Sequence, residues 1–246
     1  MRICAIVPVY NHAAPAARVV AALGGLALPC VVVDDGSDAD ADARLERLID
    51  PGRVELVRHA HNLGKGAAVV SGLRRAAELG FSHALQIDAD GQHDVAEAPR
   101  LLAAAAAAPD AVVTGFPRYD ASVPRGRYYG RYATHVWVWI NTLSRRIVDS
   151  MCGFRVYPIA PVLALIGRQA VGRRMDFDVE ILVRLDWAGV AIVNLPVTVR
   201  YPAGTVSHFR LWRDNVLIST LHARLFLGML VRLPRLVRRW HPRPER

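Results

Sequence analysis

Lysine is nearly missing from this chain. Of 31 basic side chains only Lys65 is a lysine, and the others are arginine. Cysteine is scarce as well: Cys4, Cys30 and Cys152 form no CxxC pair, and the first two lie in apolar runs where a free thiol acts as a small hydrophobe. This argues against a disulfide framework and for a reduced compartment. There is no low-complexity linker and no internal repeat, and the alanine run at 103–108 reads as helix filler. No secretion signal is legible at the N-terminus, which runs straight into a strand-like segment at 3–9 closed by Pro8 and Asn11.

What is present is apolar. The 246 residues are 52% hydrophobic and 22% charged, enough for one large α/β domain and too little charge for a disordered chain. The net charge of +9 fits either an arginine-biased composition or an attraction to phosphate, as nucleotide, nucleic acid or anionic lipid. No recognition motif and no basic groove interleaved with aromatics supports nucleic acid, so none is expected as a partner.

Strand and helix signals alternate through the first half. Strands are expected at 2–9, 30–33, 54–57, 84–87 and 111–114, and helices at 13–26, 39–49, 66–79 and 95–107. Apolar strands separated by helices predict a parallel sheet covered on both faces, with ligands beyond the strands' carboxyl ends. The second half is less regular: helices at 128–147, 156–166 and 178–188, and a strand at 190–199.

Polar clusters follow three of the strands: Tyr10-Asn11, Asp34-Asp35-Gly36-Ser37 and Asp88-Ala89-Asp90. Any one alone is an ordinary turn, but three on one rim make a site. Asp88 and Asp90, one residue apart, can converge on magnesium or manganese, which takes carboxylate and phosphate oxygens, and Gln92 adds a neutral oxygen. Such an ion neutralises charge on a leaving diphosphate. Of Asp34 and Asp35, one is expected to read a nucleotide and the other to support its loop. Asn62-Leu63-Gly64-Lys65-Gly66 opens a helix and lets backbone approach an anion, with Lys65 placed for a donor phosphate or a loop contact. The spacing is not that of a Walker loop.

Together with Asp149-Ser150-Met151-Cys152-Gly153-Phe154-Arg155 and Phe177-Asp178-Val179-Glu180-Ile181-Leu182, these segments resemble the family-2 glycosyltransferases, and within them the dolichyl- or polyprenyl-phosphate mannosyl- and glucosyltransferases. The resemblance covers roughly residues 2–205. It implies a GT-A fold, a mostly parallel Rossmann-like sheet with helices on both faces, and inverting transfer of a sugar from a UDP- or GDP-sugar. Pro8, Tyr10, Asn11, Asp34 and Asp35 would line the donor pocket with Lys65, Asp88, Ala89 and Arg118, and Asp88, Asp90 and Gln92 would hold the metal. Asp178 and Glu180 fall in the family's acidic acceptor-side segment, where a hydroxyl acceptor would find its general base. A lipid-phosphate acceptor would need cations instead, and Arg118, Arg127, Arg131 and Arg200 are available.

The chain departs from that branch at two places. His12 stands where an acid often follows the first strand, and Ser207-His208 replaces a Ser-Lys pair, which makes His208 a candidate base or phosphate ligand. A non-catalytic nucleotide-sugar-binding or scaffold role is the alternative reading.

Residues 1–205 are thus expected to form the catalytic domain, and 206–246 an amphipathic basic tail. Within the tail 216–233 is apolar but carries His222, Arg224 and Arg232, which argues against a spanning helix. Leu217, Leu221, Leu225 and Met229 share a face, and a basic segment with Trp240 follows. The pattern predicts an anchor on anionic lipid at the cytoplasmic membrane face, with docking onto the catalytic domain or a dimer contact as the other use of such a helix. The helix at 128–147, with Tyr128, Tyr129, Trp137 and Trp139, is a second candidate to face lipid or acceptor.

Overall fold

The computed structural model describes residues 1–118, 125–199 and 211–239, with backbone alone for 125–129 and 211. Its first strand, β1 (Ile3–Val9), is apolar at every position because both of its faces are covered. Cys4 and Ile6 point to one side of the sheet, and Ala5, Val7 and Val9 to the other. The chain continues as α1 (Ala13–Gly25), β2 (Cys30–Asp34), α2 (Ala39–Glu46), β3 (Val54–Arg58), α3 (Lys65–Glu78) and β4 (His83–Gln86). A 3-10 turn at Val95–Glu97 leads into α4 (Ala98–Ala107), then β5 (Val112–Arg118) and α5 (Arg125–Thr142). The remainder is β6 (Arg155–Pro158), α6 (Ile159–Arg168), α7 (Phe177–Trp187), β7 (Ile192–Thr198) and α8 (Leu211–Arg238).

The seven strands lie in the order β3-β2-β1-β4-β6-β5-β7. The chain runs outward from β1 through β2 to β3, then crosses back through α3 to place β4 on the other side of β1. That reversal opens a crevice beyond the carboxyl ends of β1 and β4. Helices α1, α2 and α4 cover one face, and α3, α6 and α7 the other.

The mostly parallel sheet stands, and two element bounds are corrected. The sheet is mixed, because residues 155–158 form strand β6, antiparallel to both β4 and β5, instead of the first turn of a helix at 156–166. The β-branched Val156 and aromatic Tyr157 suit a pleated surface. Pro158 closes the strand, and Pro161 sits in the first turn of α6, where a missing N–H costs no helical bond. Helix α5 also stops short of 147: Leu143 turns to φ 50° and ends it.

Helix α8 packs on α5 and α7. Its buried stripe is Ile218, Leu221, Leu225, Met229 and Leu236. Three of the four residues expected to share a face therefore turn toward the protein. Helical structure continues through Pro234 to Arg238, where Arg239 donates to the Asp186 and Trp187 carbonyl oxygens at 2.7 and 3.2 Å and pairs with the Asp186 carboxylate at 3.1 Å. These are among the last acceptors of α7, where a cation is favoured.

Candidate active site

The two aspartates after β2 divide their work. Asp35 accepts from the Leu63 and Gly64 backbone N–H groups, both at 2.8 Å, and lies 2.8 Å from His59 Nδ1. A carboxylate only accepts, so His59 donates from Nδ1, and its Nε2 meets Ser71 Oγ at 2.9 Å. Asp35 thus fixes the Asn62-Leu63-Gly64 loop, where Gly64 holds φ 105° just before α3. Asp34 is buried and accepts from the Ser37 N–H of its own turn at 3.0 Å. Asn11 ties the end of β1 to that turn, donating from its backbone N–H to Ser37 Oγ and accepting from the Asp38 N–H, each at 2.9 Å. Pro8 pairs with Val33 inside the sheet, and Tyr10 follows β1 on the same rim.

Beyond β4 the charges concentrate. Lys65 opens α3, and its Nζ lies 2.8 Å from each Asp88 oxygen and 2.7 Å from Asp178 Oδ2. The hydrogen bond to Asp88 is aligned with Oδ2; Oδ1, though equally near, is buried and has no aligned donor. Burial works against the ammonium, yet Asp178 and Asp88 hold Lys65 protonated far above the usual lysine range. Burial also opposes charge on Asp88, but the Lys65 ammonium, then His93, bring its carboxyl below the ordinary value. Asp90 moves the other way, raised by burial and next by the Asp88 charge. Its Oδ1 accepts from the Gln92 N–H at 2.9 Å. Ala89, between the two aspartates, is buried.

These residues suit a hard cation. Their donors are all oxygen, one Asp88 oxygen has no aligned hydrogen-bond donor, and the Asp88 charge raises Asp90 beside it. Among the described residues no group of three or more His, Cys, Asp or Glu side chains could hold an ion by itself. The remaining positions would fall to phosphate oxygens and water, the usual arrangement for magnesium.

Asp178 is buried at the start of α7. Gln86 Nε2 donates to its Oδ1 at 3.2 Å, and Arg155 lies 3.7 Å from the same oxygen. Arg155 is fully buried and donates to the Asp178 and Ser150 backbone oxygens, both at 2.7 Å. Glu180 is two residues on, so its side chain leaves the helix about 200° away. It accepts from the Gly172 N–H at 2.6 Å and pairs with Arg184 at 2.6 Å. The two acids expected as alternative bases therefore serve different neighbourhoods, Asp178 the Lys65 cluster and Glu180 the 172 loop.

Arg131 of α5 makes a bidentate pair with Asp149, at 2.6 and 2.8 Å. His135 Nε2 adds a third contact at 3.2 Å, and the Met151 and Cys152 N–H groups donate to Asp149 Oδ1 at 2.8 Å. Burial opposes the Asp149 charge, but Arg131 holds its carboxyl far below the ordinary range. The turn so fixed brings Gly153 against the Asp88 carboxylate, so closely that a Cβ there would collide with both oxygens. His93 packs on Phe154 at 5.3 Å, and burial pushes its imidazole down to about 4. Arg118 ends β5, exposed, beside Thr198. Arg200 and His208 lie outside the described residues, as do Ser207 and Trp240, and the side chains of Arg127, Tyr128 and Tyr129 are not described.

Asp149, Arg155, Gln86 and His59 received no role from the sequence. The signal for the first two was their place at the ends of one motif segment, Asp149 to Arg155. His59 and Gln86 gave none.

A mixed sheet with its switch point at β1 and β4, and acids on the rim above it, is the GT-A arrangement, and the class is glycosyltransferase. Residues 4–173 match the family Glycosyl transferase family 2, and the chain belongs to that family. It is 30% identical over 210 residues to an undecaprenyl-phosphate mannosyltransferase of Micrococcus luteus, covering 80% of this chain and 83% of the relative. It is 31% identical over 216 residues to a polyprenol monophosphomannose synthase of Mycolicibacterium smegmatis, covering 80% and 77%. In fold it is similar to glucosyl-3-phosphoglycerate synthase of Mycobacterium tuberculosis, crystallised with Mn2+, UDP and phosphoglyceric acid, with a TM-score of 0.69 at 18% identity over 93% of this chain and 78% of that one.

Proposed function

We propose that this glycosyltransferase moves a sugar, with inversion, from a UDP- or GDP-sugar to the phosphate of a polyprenyl lipid at the cytoplasmic membrane face. The observation that carries the acceptor is the engagement of both α7 carboxylates. Asp178 is paired with Lys65 and Glu180 with Arg184, so neither stands ready to take a hydroxyl proton. A phosphate monoester needs no such base, since its second pKa is about 6 and it arrives as an anion. The names of the two curated relatives, both acting on polyprenyl phosphates, support the same reading.

Asp88 and Asp90, with the Gln92 carbonyl, would hold Mg2+ or Mn2+, which when bound supplies charge neutralisation to the departing diphosphate. Asp34 is placed for the nucleoside, while Asp35 and Asn11 hold the loops around it. Lys65 adds a positive charge beneath the diphosphate. A phosphate oxygen of the acceptor attacks the anomeric carbon as the bond to the diphosphate oxygen breaks, through an oxocarbenium-like transition state. Arg118, with Arg127 and Arg200, is placed in the proposal to meet the acceptor phosphate; Arg131 contributes by holding Asp149.

The membrane contact is read from two helices together. Tyr132, Val136, Trp137 and Ile140 of α5 are exposed, as are Phe226, Leu227, Leu230 and Val231 of α8, and Trp137 meets Phe226 edge to face at 6.4 Å. Arg213, Arg235 and Arg238 are exposed on the same helix. Helix α8 is long and apolar enough to cross a bilayer by length and composition. Its docking on α5 and α7 favours an interfacial position.

The test is a donor and acceptor screen. GDP- and UDP-sugars are incubated with polyprenyl phosphate or with a lipid bearing only hydroxyls, each with Mn2+ or with chelator. Metal-dependent transfer to the phosphate alone is expected. Transfer to the hydroxyl lipid alone would refute the acceptor assignment.

A further inference from the structure

The Asp88 carboxylate is confined on one side. Its oxygens lie against the Gly153 backbone, in a turn pinned by Asp149, and there is no room to swing toward that side. Lys65 is the reverse, a compact charge on a flexible four-carbon stem. It sits between two carboxylates at nearly equal distance, 2.8 Å from Asp88 and 2.7 Å from Asp178. A cation taking Asp88 must displace the ammonium from it, because two positive charges cannot share the same oxygens at contact distance.

We propose that Asp178 is a positioning residue that gives the Lys65 ammonium a second place to rest, so that Asp88 can be released to the divalent cation. Gln86 and Arg155 set how strongly Asp178 draws Lys65, since both face its Oδ1 and leave Oδ2 to the lysine. Gln86 Oε1 is itself buried without a partner, so this amide is retained at a cost that packing does not explain. The inference rests on the reading of Asp88 and Asp90 as the grip on the cation.

The test is a Mn2+ titration of the full chain, with and without UDP, followed by the loss of the free-ion electron paramagnetic resonance signal. Asp178→Asn leaves Lys65 only one carboxylate, and Mn2+ affinity is expected to fall about tenfold. Asp186→Asn removes an acid from the same helix away from Lys65, where Arg239 is its partner, and should leave Mn2+ affinity unchanged. Gln86→Met removes the donor that competes for Asp178 and should tighten Mn2+ binding two- to threefold; it also serves if Asp178→Asn does not fold. In turnover, Asp178→Asn should raise the Mn2+ concentration needed for half-maximal rate while keeping most of kcat at saturating metal. A general base would instead lose roughly 10²–10⁴ in kcat at every metal concentration, and that result overturns the proposal. So does an unchanged Mn2+ affinity in both Asp178→Asn and Gln86→Met. If the unaltered protein binds no Mn2+ with or without UDP, it is the grip itself that fails, and the inference falls with it.

Discussion

The rim beyond the strands and the helical layer of α5, α7 and α8 are held together in different ways. On the rim, carboxylates and hydroxyls bind backbone N–H groups close by in the fold: Asp34 to Ser37, Asp35 to Leu63 and Gly64, Asp90 to Gln92. In the helical layer the ties join residues far apart in the chain, such as the Trp187 indole N–H to the Asn141 backbone carbonyl and the Asn141 side chain to His222. The rim crowds Asp88 and Asp90 around the Lys65 ammonium, whereas the layer pairs the buried Glu180 and Asp186 with Arg184 and Arg239 and leaves apolar surface outside. In the proposed function the first arrangement would receive an ion and a phosphate, and the second would lie against lipid.

The sharpest break in that comparison is at Asp90. Asp90→Ala removes one carboxylate of the proposed cation grip, from a residue that accepts from the Gln92 N–H of its own turn, so the fold should survive with a Tm within a few degrees of the unaltered protein. Transfer should fall at least 10³-fold, since metal neutralisation of a leaving group is worth several kcal/mol. Full turnover without divalent metal in this variant would remove the rim from the chemistry.

Next in size is the contrast between neighbours. Asp35→Ala strands two loop N–H groups and the His59 ring, and should cost roughly 3 kcal/mol of stability, read by chemical denaturation. Asp34→Ala loses one turn contact and should cost about 1 kcal/mol while raising the donor KM. Equal losses of stability at the two sites would erase the division of labour between them.

The helical layer has its own probe in His222, which is stacked on Trp137 at 6.0 Å and buried between α5 and α8. Burial lowers its imidazole to about 4. The folded protein thus binds fewer protons there than the unfolded chain, whose histidine titrates near 6.5. The contribution is whole above pH 6.5 and is lost as pH falls toward 4, by roughly 2 kcal/mol at pH 5. A Tm profile from pH 8 to 5 should therefore flatten in His222→Phe, which keeps a ring against Trp137. His93, lowered by burial in the same way at the rim, contributes to the slope that remains.

Legibility in the sequence followed the same divide. The rim could be read because its acids sit at strand ends, where an apolar run meets a turn within a few residues. That one of Asp34 and Asp35 supports a loop was expected, but not which one, because that depends on the loop at 62–64 being folded back. Strand β6 was missed since four residues, the last of them Pro158, carry no period. The tail stripe at Leu221, Leu225 and Met229 was seen, but periodicity locates a buried face without saying what buries it. Here α5 and α7 do, and the face turned outward is a different one.

That outward face gives the smallest expected effect. Val231 is 82% exposed and Leu227 64%, on the side of α8 away from its partners. Leu227→Glu with Val231→Glu should leave Tm unchanged, because neither side chain packs inside. The pair should release the protein from vesicles of anionic lipid, reducing the bound fraction severalfold in flotation, since each charge meets both the apolar layer and a like-charged surface. Transfer to a short, water-soluble polyprenyl phosphate should be retained. Loss of transfer to that acceptor would place α8 in the acceptor path itself. Unchanged flotation would move the lipid contact off this helix, and the layer would then differ from the rim in architecture without differing in partner.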